Sequence, residues 1–365
     1  MVNAMEDTLS TRQAVLWVSL FELGSSILFA PAFTTAKAGQ DGWLSALVAV
    51  ALHLAVLPLF VAWGRSMGNR TVAAYMADTL GKPLGRTVML LLALGFPYLT
   101  FILALRNLSD FTMSATMIET PRSPIMLLMG ALAACGIYYG IRAIGRTAEI
   151  AFPFVILFIF IIILSLIPDI RADLLLPFGE RGVGAIAEGA IPLFGFPYLD
   201  IFMLLGLRPH LKNKSDFSKI LIGSGLISGC IFVLLILFTI LTLGGDLPSR
   251  FTHPTYFVVR TISIGEFYKR IEALVSFVWY ILIFFRIALV LYLSSSWIAE
   301  AIGVRDHRRL LPPLVVLAVS MANWVWPNVT YLIEFVNEWP YYAAVVGLLL
   351  PACILAIGRW RSRPA

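Results

Sequence analysis

Two carboxylates and a guanidinium stand inside long apolar runs: Glu22, Asp200 and Arg286. A charge at mid-membrane costs about 2.5–3.5 kcal/mol on insertion scales, so it is seldom idle. Each carboxylate can pair with an arginine, bind a proton or cation, or face the amine of a ligand. Each can equally pin a helix bundle through a salt bridge. Arg286 is the expected partner of Glu22 or Asp200. Arg106 lies late in its run, where it can snorkel to the interface. Glu149 is expected to pair with Arg142 or Arg146.

Each acid sits beside an interruption. Glu22 precedes Gly24, Ser25 and Ser26 in "FELGSSILFAP", residues 21–31. Asp200 follows Pro192, Gly195 and Pro197 in "EGAIPLFGFPYLDIF", residues 188–202. Proline removes a backbone donor and clashes with the preceding turn. Unwinding a helix frees N–H groups on one side and C=O groups on the other. The first suit a carboxylate and the second an ammonium, so a zwitterion fits both. A single interruption reads equally well as a packing kink. Two in corresponding spans of two halves point to a substrate site. The expected ligand-binding residues are Gly24, Ser25, Ser26, Tyr98, Phe194, Gly195, Phe196 and Arg286, with Glu22 and Asp200 in coupling or gating. Tyr98 and Tyr280 can wall the same pocket, although aromatics on apolar helices more often serve packing.

The elements that must position these residues are membrane helices. The chain has 365 residues, 59% hydrophobic and 13% charged, with mean hydropathy +0.88. A soluble domain carries roughly 25% charged residues. Apolar runs fall near residues 14–36, 43–64, 87–109, 123–141, 147–167, 184–206, 218–243, 272–300, 310–326 and 340–358. That is about ten spans, each long enough to cross a core of about 30 Å. The first is read as a retained span, because its apolar stretch is too long for a signal-peptide core. Two longer connections carry the partly apolar stretches "VAAYMADTL" and "TYFVVRTI", expected as short interfacial helices.

With the N-terminus placed in the cytoplasm, the inner loops receive about twice as many basic residues as the outer ones. The outer set includes Lys37, Arg122, Arg171, Arg181, Lys269 and Arg270, and the inner set ends at Arg359, Arg361 and Arg363. Both termini are therefore expected inside. The net charge of +6 follows these loops and needs no nucleic-acid partner. Cys135, Cys230 and Cys353 are read as small core residues. The four histidines show no metal spacing. "NWVWPN" and "NEWPYY" read as an interfacial aromatic belt. No phosphate-binding loop, nucleophile–base pair or metal cluster is visible, so no enzyme, cofactor or metal is expected.

Read in order, the chain resembles the spore germination permease family, the B subunits of nutrient germinant receptors within the amino acid–polyamine–organocation superfamily. The resemblance rests on "QAVLWVSLFELGSSILFAPAFTTAKAGQDGW", "RTVAAYMADTLGKPLGR", "YYGIRAIGRTAEIAFPFVIL", the interrupted sixth span and "RIEALVSFVWYILIFFRIALVLY". Where the family usually reads Pro-Phe-Gly-Glu, this chain has Pro197, Tyr198, Leu199 and Asp200. The resemblance implies an all-α polytopic membrane protein of LeuT-like fold. It also implies a 5+5 inverted repeat, residues 1–175 and 176–365, with broken helices 1 and 6. It implies a small nutrient ligand, an amino acid, and partners in an A-type membrane subunit and a C-type lipoprotein, in the inner spore membrane or the cell membrane. A proton- or cation-coupled transporter of amino acids or organic cations remains open beside a sensor, as does a conduit opened by a partner.

Overall fold

The computed structural model describes residues 8–260, 271–326 and 329–361. Lys269, Arg270 and Arg363 of the charge assignment, and the end of "TYFVVRTI", lie outside the described residues. The structure is all-helical apart from one isolated bridge between Leu9 and Leu211. In chain order the α helices are α1 (Thr11–Ala38), α2 (Gly42–Met67), α3 (Val72–Leu80), α4 (Lys82–Ala93) and α5 (Leu99–Ala115). Next come α6 (Arg122–Tyr138), α7 (Ile141–Leu166), α8 (Gly182–Gly195), α9 (Phe217–Leu243) and α10 (Pro254–Arg260). The last are α11 (Ile271–Ile302), α12 (Leu311–Val325), α13 (Val329–Ala344) and α14 (Leu350–Arg361). Among the described residues, seven helical stretches are long and apolar enough to cross a bilayer, and α6 is a shorter apolar helix. The first stretch, Thr11–Met67, is α1 and α2 joined through a turn at Gly39–Asp41. The short helix α3 coincides with "VAAYMADTL", and α10 begins "TYFVVR" one residue early.

Local chemistry sets the helix ends. Ser10 caps α1: its hydroxyl accepts from the Gln13 N–H at 3.2 Å, and the Gln13 side chain accepts from the Ser10 N–H at 3.1 Å. Gly39, at φ 58°, turns the chain out of α1 where a side chain would be strained. Between α4 and α5 the stretch Leu94–Tyr98 widens into a π turn around Pro97, which has no N–H to offer the preceding turn.

The expected break in the first span is absent. Residues 11–38 form one continuous α helix through Gly24, Ser25 and Ser26. Glycine and serine permit a break but do not compel one, because each keeps its N–H. Packing decides here: a Cβ on Gly24 would stand 2.7 Å from the Arg286 Cβ, so the small residue lets α11 close against an intact helix. The sixth span does break. Pro192 is held inside α8, but Pro197 disfavours helical geometry in its predecessor, and Phe196 is extended at φ −144°, ψ 105°. The chain then continues as a 3-10 helix, Tyr198–Gly206. Runs of that length are uncommon and mark strained or functional stretches.

The helices α1 and α11 form the centre. Trp17, Leu20, Phe21 and Leu23 of α1 are buried, as is nearly every α11 residue from Leu282 to Leu293. The outer surface is apolar instead: Leu91, Leu128, Ile150, Phe154 and Phe160 are all exposed. Cys135, Cys230 and Cys353 belong to that exposed surface and not to the core. In lipid the outside of a bundle is as apolar as its inside, so hydropathy alone cannot separate the two.

The loops segregate to opposite ends. At one end Leu9 bonds to His210 and Lys212, Lys214 donates to Asn69 at 3.0 Å, and Arg208 donates to the Gly68 carbonyl. At the other, Lys37 meets Glu188 at 3.5 Å and Arg181 meets Asp246. The sequence offers Glu149 two partners on its own helix, Arg142 and Arg146. Glu149 instead reaches α1, meeting Arg12 at 3.2 Å and accepting from Gln13 at 3.3 Å.

Candidate functional site

The break in the sixth span leaves peptide groups to be satisfied. The Phe196 N–H still reaches the Pro192 carbonyl at 2.9 Å. Its own carbonyl accepts from the Ser26 hydroxyl of α1 at 3.3 Å. Four residues on, Asp200 is wholly buried and its Oδ2 accepts from Arg286 at 2.5 Å. Arg286, also wholly buried, donates to the Phe21 carbonyl of α1 at 3.3 Å. Its guanidinium carbon lies 4.2 Å from the Phe196 ring centroid and 4.7 Å from that of Phe21, both at cation–π distance. One side chain thus joins α1, α11 and the broken segment. A buried ion pair costs heavy desolvation, and losing one partner strands the other charge.

Glu22 has a different environment. It is wholly buried, and no ion pair involves it among the described residues. Ser224 donates to its Oε1 at 3.0 Å and Ser228 to its Oε2 at 2.6 Å, both from α9. Tyr198 lies on the same side, with its hydroxyl 3.5 Å from the Ser228 hydroxyl and its ring 4.5 Å from that of His53. The 3-10 segment therefore sends Tyr198 toward α9 and α2, and Asp200 toward α11. Two polar clusters flank the contact between α1 and the break.

The remaining expected residues divide. Ser25 is buried with its hydroxyl unpartnered. Gly195 packs on α13, where an added Cβ would stand 2.5 Å from the Pro340 Cα. Phe194 is half-buried against the core. Tyr98 turns to α12, donating to the Leu314 carbonyl at 3.0 Å. Tyr280 donates to Thr112 at 3.0 Å. Arg106 is no snorkel: it is wholly buried, pairs with Asp110 at 2.7 Å and donates to the Ala322 carbonyl at 2.8 Å.

Ser224, Ser228, His53, Tyr198 and Trp339 were missed. The spacing of Ser224 and Ser228, four apart in an apolar span, was a usable signal, since it places both hydroxyls on one helix face. Trp339 gave none. It belongs to "NEWPYY" yet is buried, not interfacial. Its ring lies 5.2 Å from Phe96 and 6.3 Å from Phe196, beside Asp200.

Solved structures share this architecture. A crystal structure of MhsT in complex with L-phenylalanine matches with TM-score 0.73 at 15% identity, covering 96% of this chain and 89% of that one. The nucleobase-cation-symport-1 family transporter MHP1, in a closed conformation with bromovinylhydantoin bound, matches with TM-score 0.68 at 16% identity, covering 96% and 78%. At such identity the likeness shows the fold, which is that of LeuT-like transporters. By sequence, the chain is 25% identical to spore germination protein KB of Bacillus subtilis (strain 168), over 97% of this chain and 95% of that protein. It is 26% identical to the putative spore germination protein YfkT of the same organism, over 96% of each. Spore germination protein XB of Bacillus anthracis is 22% identical, over 89% of this chain and 90% of that protein. The family model described as "Spore germination protein" matches residues 8–325. The chain belongs to the spore germination protein family and is an integral membrane protein, not an enzyme.

Proposed function

We propose that this protein is the B-type subunit of a nutrient germinant receptor and that it binds a small amino acid between α1 and the break after α8. In this reading the chain crosses the membrane ten times as two inverted five-helix halves, residues 1–175 and 176–365. Both termini are cytoplasmic, and the membrane is the inner membrane of the spore. Gly24, Ser25, Ser26, Phe194, Gly195, Phe196 and Arg286 line the site, while Glu22 and Asp200 gate it. Tyr98 is left to α12. An A-type membrane subunit and a C-type lipoprotein complete the receptor and receive the signal.

The observation that carries this reading is the Asp200–Arg286 pair at the break. An amino acid offers a carboxylate to Arg286 and an ammonium to Asp200, which are the two partners this pair now supplies to itself. Exchanging the internal pair for a ligand frees the Phe21 carbonyl from Arg286 and lets the halves shift. Ligand affinity that differs between two such arrangements moves their populations.

Leucine at Gly24 or Gly195 would strike Arg286 or Pro340, so loss of binding there would report packing. The decisive variant is Arg286→Lys, which keeps the charge and loses the planar fork. Titration of the purified wild type with individual L-amino acids should find one that binds, and Arg286→Lys should weaken it at least tenfold. Equal affinity in both proteins would refute the pocket. Accumulation of that amino acid against its gradient in vesicles would assign a coupled transporter to the same pocket.

A further inference from the structure

Glu22 is a carboxylate without a cation, held by two hydroxyls. Each hydroxyl has a second acceptor on its own helix. Ser224 lies 3.3 Å from the Leu221 carbonyl, and Ser228 lies 3.3 Å from the Gly225 carbonyl. We propose that Glu22, Ser224 and Ser228 form a proton-binding site that fills and empties without stranding any buried polar atom. The proposal deepens the gating role given to Glu22 above and rests on that reading for its consequence, though not for the chemistry.

With Glu22 ionised, both serines donate to it, as the distances of 3.0 and 2.6 Å describe. When a proton adds to Oε2, the new O–H donates to the Ser228 oxygen. The Ser228 hydrogen then turns to the Gly225 carbonyl. Ser224 keeps its bond to Oε1 or turns to Leu221 in the same way. Emptying the site reverses these steps, and one proton enters or leaves. An unmade hydrogen bond in such a place costs roughly 1–3 kcal/mol, and the paired acceptors avoid it in both states.

The site suits a proton and not a metal cation. A metal needs a gap at the centre of its oxygen shell, whereas 2.6 Å between Ser228 and Glu22 is a hydrogen-bond length. The walls are also closed. A Cβ on Gly225 would stand 2.2 Å from His53 Nε2, and one on Gly229 would stand 2.6 Å from Val50.

Among the described residues no cation pairs with Glu22, and on α9 Lys219 meets Asp216 at 2.8 Å, beside the start of α1. On α2 there is His53, and on the 3-10 segment Tyr198. Asp200 and Arg286 are engaged with each other on the far side. On α7, Glu149 meets Arg12 at the start of α1. On α8, Glu188 meets Lys37 at its end, and His253, just before α10, stacks on Phe29.

The test is infrared difference spectroscopy of the full chain in lipid nanodiscs, titrated with acid and without any germinant. A failed germinant site therefore cannot mask the result. The wild type should show the C=O band of one buried protonated carboxyl. Glu22→Gln should remove it, and Asp200→Asn should leave it. Ser228→Ala should move it to higher frequency, because the acid loses a hydrogen-bond partner. That conservative variant also decides the matter if Glu22→Gln fails to insert. A band that survives Glu22→Gln, or that ignores Ser228→Ala, overturns the proposal. So does a band abolished by sodium but not by choline at equal ionic strength, which would make this a metal site.

Discussion

Gly24 of α1 lies flat against Arg286 of α11, with no room between them for a methyl group: an added Cβ would stand 2.7 Å from the Arg286 Cβ and 3.2 Å from the Leu282 carbonyl. The glycine lets the arginine pass α1 and reach Asp200 while still donating to Phe21. The small residue and the buried charge are parts of one contact.

Gly24→Ala should therefore destabilise the protein by about 1–3 kcal/mol through overpacking. Thermal unfolding in detergent measures it. An unchanged midpoint would show that α1 and α11 are not in this contact.

Removing either member of the buried pair strands the other charge. Arg286→Met and Asp200→Leu should each cost about 3–5 kcal/mol, while the double variant should recover much of that loss. A double-mutant cycle reads the coupling directly. Simple additivity would mean that the two side chains do not meet in the folded protein.

Arg106 ties α5 to α12 through carbonyls and to Asp110, which also meets Arg122 at 3.3 Å. Arg106→Met should loosen this end of the bundle by about 3 kcal/mol, because it leaves Asp110 with only a half-exposed partner. Faster hydrogen exchange along α12, with the Asp200 region unaffected, is the expected pattern.

His253 sits between the rings of Phe29 and Phe111, at 5.0 and 5.1 Å. Burial pushes its pKa down from 6.5 to about 4. The folded form holds the ring neutral while the unfolded form takes up a proton first. Stability from this residue is thus complete above 6.5 and is lost as the pH falls through about 4. His253→Phe should flatten the wild-type stability curve across that window, and parallel curves would contradict the burial.

The exposed cysteines give a contrasting expectation. Replacing Cys135, Cys230 and Cys353 together by alanine should change stability by less than about 1 kcal/mol, since no packed cavity is opened. A loss of several kcal/mol would place at least one of them in the core.

Composition and local pattern alone establish that this is a helical membrane protein, where most helices lie, and that the sixth span is interrupted. The reasons are local: apolar runs need lipid, and Pro197 disfavours helical geometry at Phe196, although the residues before Pro31, Pro58 and Pro153 stay helical. The sequence also marked Glu22, Asp200 and Arg286, since ionisable groups at bilayer depth need a function or a partner. It did not decide whether Gly24, Ser25 and Ser26 break the first helix. That depended on α11 packing against them, and α1 stayed whole. Nor did it choose which acid meets Arg286. Only the 3-10 turn after Pro197, which sends Tyr198 to one side and Asp200 to the other, made that assignment and left Glu22 to the serines of α9. Trp339 and the cysteines depended in the same way on which helix face met protein and which met lipid, a choice that hydropathy cannot express.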